Sequence, residues 1–133
     1  MKYKDLRILA IFFLGFVLHS CVKYDTPIAD SPLPLSTYSL SFDADGGEGV
    51  VKGLKGYSIL AYCITIDGVG VTGDGDKNTP LINQWCTVNY DGKSSTVKVS
   101  PNETGKERRC EIAFGSYPGG AHSNVVSVVQ SAD

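Results

Sequence analysis

The chain has 133 residues, 12 Lys and Arg against 14 Asp and Glu, a formal net charge of −2 at pH 7, and four cysteines. A chain of this length builds one modest core, burying about two thirds of the surface its unfolded form exposes. That excludes a dinucleotide-binding unit with a partner domain and a TIM barrel. The acidic balance excludes nucleic acid as a partner, because backbone binding needs a basic surface.

Lys2, Lys4 and Arg7 precede an apolar run at 8–18. As a helix that run spans only about 16 Å, too short for the roughly 20 residues that cross a bilayer, and it has the charged n-region and short h-region of an export signal. Leu18-His19-Ser20-Cys21 closes the run. It resembles a bacterial lipobox, in which the cysteine is acylated and becomes the new N-terminus. The resemblance implies a signal peptide at 1–20, lipidation of Cys21 and the lipid bilayer as a partner, since each buried lipid CH₂ contributes about 0.8 kcal/mol to anchoring. Val22-Lys23-Tyr24-Asp25 resembles the Lys-then-acidic tag of Bacteroidetes-type lipoproteins sent to the outer face of the outer membrane, so a surface-exposed position there is expected. Pro27, Pro32 and Pro34 then mark residues 21–36 as the lipidated cysteine and an extended tether.

Beyond the tether no run of ten or more residues carries the helical apolar period. β-Branched and aromatic residues cluster between Gly, Asn, Asp and Pro, predicting strands at 38–43, 49–53, 57–66, 84–89, 96–100, 108–114 and 125–130. About seven short strands in 37–133 predict an all-β, immunoglobulin-like antiparallel β-sandwich. Alternation puts Val97 and Val99 inward, and likewise Cys110, Ile112 and Phe114, with Arg109 and Glu111 facing water. Cys86, Val88 and Tyr90 are expected inward, which leaves Trp85 as either a core residue or an exposed platform. Asp91-Gly92 supplies the positive φ of a hairpin turn.

Several of these segments together carry a resemblance. Leu40-Ser41-Phe42 before Ala44-Asp45-Gly46-Gly47, Trp85-Cys86-Thr87-Val88, Thr96-Val97-Lys98-Val99, the run Asn102-Glu103-Thr104-Gly105-Lys106-Glu107-Arg108-Arg109, Cys110-Glu111-Ile112 and Val126-Ser127-Val128-Val129-Gln130 resemble the BACON domain. This is an immunoglobulin-like sandwich common in exported Bacteroidetes proteins. The resemblance spans residues 38–130 and departs in the glycine-rich stretch 57–75. It implies either a carbohydrate-contacting module or a passive spacer. Within the motifs, Asn102 and Thr104 are expected to bond loop backbone, Arg108 or Arg109 to span exposed strand surface, and Gln130 to end the last strand.

With Cys21 lipidated, Cys63, Cys86 and Cys110 remain. The alternatives are a Cys86–Cys110 bridge, a bridge involving Cys63, and three unpaired core thiols. Zinc is disfavoured, because there is no CxxC and His122 is the one histidine behind the leader. Asp74, Asp76 and Asn78 have the opening spacing of a calcium loop, but Thr79 and Trp85 stand where its glycine and glutamate belong, so a solvated loop is expected. No Gly-x-Ser-x-Gly elbow occurs. The expectation is therefore no enzyme, no cofactor and no metal.

The leading reading is a non-catalytic cell-surface module contacting polysaccharide through aromatic rings, with Tyr117 and Trp85 as the glycan contacts and Tyr57, Tyr62 and Tyr90 as further candidates. Tyr117, beside Pro118-Gly119-Gly120, is the ring expected to be exposed. The alternative is a structural or protein-contacting accessory module that pairs a surface protein through edge strands.

Overall fold

The computed structural model describes residues 32–73, 79–91 and 94–132. Among them are nine strands: β1 (Ser39–Phe42), β2 (Gly47–Lys52), β3 (Ser58–Ile66), β4 (Val69–Thr72), β5 (Leu81–Asn83), β6 (Cys86–Tyr90), β7 (Ser94–Val99), β8 (Arg108–Tyr117) and β9 (Ser123–Gln130). They form a five-stranded sheet ordered β1-β9-β8-β3-β4 and a four-stranded sheet ordered β2-β7-β6-β5. The inner faces pack as one core, with Phe114, Ile112, Ile64, Ile59, Val126 and Val128 from the first sheet meeting Val51, Val97, Val88 and Cys86 from the second. The all-β immunoglobulin-like sandwich expected from the alternation is the fold found.

Three features differ from the expectation, each for a local reason. The strand count rises from about seven to nine, because β4 and β5 are short edge strands that carry no alternation over a readable length. β1 joins β9 in parallel rather than antiparallel. The chain leaves β1 through the turn at 43–46 and crosses to the other sheet as β2, so β1 never makes a hairpin. Gly46 (φ +83°) holds that turn, and a Cβ there would collide with the Val99 carbonyl oxygen. Finally, the domain begins before residue 37. Pro32 bridges to Ser123 in the first sheet and Leu35 to Gly53 beside the second, and Leu33 and Leu35 are buried core residues. Residues 32–36, read as the end of a tether, therefore form a strap that closes one end of the sandwich. Its backbone is tied by Leu33 N–H to the Ser123 carbonyl at 3.0 Å and Ser36 N–H to the Lys52 carbonyl at 2.8 Å. Pro32 and Pro34 mask two ordinary core leucines, Leu33 and Leu35.

The opposite end is closed by polar side chains. Gln130, fully buried, accepts from Arg108 Nε at 2.7 Å on its Oε1. Its Nε2 donates to the Ser100 carbonyl at 2.8 Å and lies 3.2 Å from the Asp43 carbonyl. Asn102, also buried, donates its amide nitrogen to the Lys106 carbonyl at 2.7 Å and the Ser131 carbonyl at 3.0 Å. Its backbone N–H donates to the Ala44 carbonyl at 2.7 Å. Thr104 donates its hydroxyl to Asn102 Oδ1 at 2.6 Å. Two amide side chains thus join the turn at 43–46, the loop at 100–107 and the C-terminal end of β9. The expected roles of Asn102 and Thr104 hold, whereas Gln130 does more than end a strand. With both Nδ2 hydrogens of Asn102 committed to carbonyls, Asn102-Glu103-Thr104 is a turn-making unit.

Two expectations follow for stability. Leu33→Ala should cost about 2–5 kcal/mol, as for a buried leucine, while Leu54→Ala, 45% exposed, should stay within about 0.5 kcal/mol. Urea unfolding of the two variants measures the contrast, and equal effects would remove Leu33 from the core. Gln130→Leu keeps the volume but strands carbonyls and the Arg108 guanidinium, and should cost about 2 kcal/mol or more in the same assay.

Candidate functional site: the aromatic end of the sandwich

The strap, the loop at 53–57 and the turn at 118–122 meet at one end, together with the last residue of β6, Tyr90. Four aromatic rings gather there. Tyr117 is the last residue of β8 and is 53% exposed. Tyr90, the last residue of β6 in the opposing sheet, lies beside it with ring centroids 6.3 Å apart and planes tilted by 56°. On the far side of the turn, the His122 ring meets Tyr57 edge-on at 5.1 Å, and its Nε2 is 3.4 Å from the Tyr57 hydroxyl. Offset and edge contacts of this kind hold rings in place beyond their apolar burial.

The turn between Tyr117 and His122 is held by its own backbone. Gly120 N–H donates to the Ser116 carbonyl at 2.8 Å, Ser116 N–H to the His122 carbonyl at 2.8 Å, and His122 N–H to Ser116 Oγ at 3.1 Å. Gly119 (φ +97°) and Gly120 (φ +62°) occupy a region that side chains rarely adopt, so the two glycines are required there. The Tyr117–Pro118 peptide is cis. Behind the turn the Tyr62 ring packs on Gly115, whose Cβ would stand 3.5 Å from it. Asp91, following Tyr90, is exposed and accepts from Ser94 N–H at 2.8 Å and Ser94 Oγ at 3.1 Å.

Tyr117 is exposed as expected, and its partner ring is Tyr90 rather than Trp85. Trp85 sits in the tight turn between β5 and β6 and is 8% exposed, packed against the core. The Arg108 guanidinium carbon lies 4.6 Å from its ring centroid and roofs it. Such a stack contributes about 0.5–2 kcal/mol, and partial burial draws the Arg108 pKa down from its ordinary value. Arg108 begins β8 and Tyr117 ends it, so roughly 30 Å of strand separates the two expected glycan contacts. The structure does not bring them together. Arg109, not Arg108, spans exposed strand surface, where it pairs with Glu107 at 3.0 Å.

The Tyr90–Tyr117 contact joins different sheets and is beyond the reach of strand periodicity. The Tyr57–His122 pair is equally hidden in the sequence; its one signal is a histidine close behind a glycine turn. Cys21, the calcium-like Asp74, Asp76 and Asn78, and Gly92 lie outside the described residues. Among the described residues, no group of three or more His, Cys, Asp or Glu is placed to hold a metal ion. No helix among them is long and apolar enough to cross a membrane.

No protein-family profile matches the chain, and no curated protein is significantly similar to it in sequence. Solved structures do match. An NMR structure of a protein from Bacteroides thetaiotaomicron is 20% identical, with a TM-score of 0.60 over 77% of this chain and 89% of that one. A Bacteroides ovatus GH5 xyloglucanase in complex with a XXXG heptasaccharide is 21% identical, with a TM-score of 0.50 over 76% of this chain and 19% of the enzyme. These likenesses show a shared fold, a two-sheet immunoglobulin-like sandwich, which is the fold implied by the resemblance of its strand motifs.

Proposed function

We propose that this chain is a non-catalytic accessory module, carried on the bacterial outer membrane by a lipid on Cys21, that contacts polysaccharide through Tyr117. One observation carries the reading: a half-exposed tyrosine ring, backed by Tyr90 and set on a self-bonded glycine turn, at the end of the sandwich that no polar knot seals. A ring held in this way offers a flat apolar face to a sugar ring without losing much rotamer entropy on binding. The neighbouring carboxylate of Asp91 can accept from sugar hydroxyls. The solved neighbour that is a xyloglucanase lends support, since a domain of similar fold there is part of a polysaccharide-cleaving chain.

A second reading rests on different residues. Val69 on β4 and Ile82 on β5 are 61% and 54% exposed on adjoining edges of the two sheets, which Asn83 Nδ2 links at 3.2 Å to the Val69 carbonyl. Two bare apolar side chains on edge strands suit a protein partner.

Titration of the folded protein against plant and microbial polysaccharides, xyloglucan included, separates the two. Tyr117→Ala should weaken the best interaction by about 30-fold, equivalent to about 2 kcal/mol, with circular dichroism unchanged. No binding by the unmutated protein at millimolar polysaccharide would end the glycan reading and leave the edge reading. Intact-mass measurement of membrane-extracted protein should find the mature chain starting at an acylated Cys21. Any other N-terminus would remove the anchor.

A further inference from the structure

We infer that Cys86 and Cys110 close into a disulfide that staples the two sheets together when the chain folds in an oxidising compartment. Cys86 opens β6 in the four-stranded sheet, and Cys110 lies near the start of β8 in the five-stranded one. Both belong to the same core cluster and are buried as free thiols, 0% and 3% exposed. Cys86 lies opposite the inward Val99 in the β6–β7 ladder and Cys110 opposite the inward Val128 in the β8–β9 ladder, so the two thiols enter the core from facing sheets. The strands are held at this level by a contact just outside it, since Trp85 precedes Cys86, Arg108 stands two residues before Cys110, and the guanidinium lies on the indole. A sulfur–sulfur bond is about 2 Å long, so the bridge would pin the two strands to one spacing at this level.

Register selects this pair among the cysteines of the domain. Cys63 is opposite Ala113 in the β3–β8 ladder, and residues opposite each other point to the same side of a sheet. Ala113 alternates with the inward Ile112 and Phe114, so Cys63 and Ala113 share the outer face, and neither belongs to the core cluster. The five-stranded sheet therefore stands between Cys63 and the other two sulfurs.

The chemistry is a two-electron exchange with a disulfide-bearing oxidant, a thiol oxidoreductase in the cell envelope or oxidised glutathione in vitro. One thiolate attacks the oxidant and releases its first thiol. The second protein thiol loses its proton, displaces the remaining half and forms Cys86–Cys110, so two electrons and two protons end on the two thiols of the oxidant. Timing follows from burial. The Cys110 thiol is pushed well up by the neighbouring Cys86 thiol, by desolvation and by the charge of Glu111, so in the closed sandwich it supplies almost no thiolate. The bond forms while the sheets are still assembling.

The test uses the full chain, denatured, reduced and refolded in a glutathione buffer, then alkylated and mapped by mass spectrometry without reduction. Peptides carrying Cys86 and Cys110 should appear joined, lighter by two hydrogens than their sum. The oxidised protein should melt about 10–20 °C above Cys86→Val, which keeps an apolar side chain but cannot bridge. Recovery of Cys86 and Cys110 as separately alkylated peptides after refolding, or of either joined to another cysteine, would overturn the inference. Because the map is made on the unmutated chain, it decides the matter even if Cys86→Val does not fold.

Discussion

The buried amide of Gln130 is the constraint on which the rest of this sandwich depends. Two sheets that touch only through apolar side chains can slide, because hydrophobic contact is non-directional. Gln130 removes that freedom at one end: it is fully buried, it accepts from Arg108, and it donates to carbonyls belonging to the β7 end and the β1–β2 turn. Every one of those partners sits on a different segment. A buried amide must find all its partners together or lose the free energy of the unmade bonds, so it admits one alignment of the sheets where leucine would admit several.

Fixing that end decides what the other end is free to do. The polar knot occupies the turns at 43–46 and 100–107, and Arg108 uses its planar face on Trp85. What would be the largest aromatic surface is taken up in holding the fold. At the far end the core is plugged by Leu33 and Leu35 of the strap, and the backbone of the turn at 118–122 is tied back to Ser116. The rings of Tyr117 and Tyr90 are therefore left at the rim, with Tyr117 turned to solvent, which is the feature the proposed glycan contact uses. The two ends differ because one is tied by the fully buried side chains of Gln130 and Asn102, and the other by core leucines and by hydrogen bonds to the strap backbone.

The same division bears on the cysteines. Three of them fall on strands of the domain, and strand parity separates Cys63 from Cys86 and Cys110 by a whole sheet. The two inward thiols lie beside the Trp85–Arg108 stack, at the end where the sheets are already held in alignment. A covalent link placed there would add to an existing constraint and leave the rim at Tyr117 undisturbed.

Much of this is legible in the chain itself. Alternation in β7 and β8 assigns Val97, Val99, Cys110, Ile112 and Phe114 to the core, and a rigid glycine turn marks Tyr117 as exposed, because both are consequences of local backbone geometry. The all-β class follows from the same period. Other features are decided only in three dimensions. Leu33 and Leu35 lie among prolines and show no period, yet they plug the core because the strap bridges two sheets. Trp85 has no readable face, since a two-residue turn has none, and its burial depends on an arginine that arrives from another strand. The Tyr90–Tyr117 and Cys86–Cys110 contacts join the two sheets. Local sequence determines which side of its own sheet a residue occupies; which residue meets it from the facing sheet is set by how the sheets align, and here that alignment is imposed by buried hydrogen bonds between segments far apart in the chain.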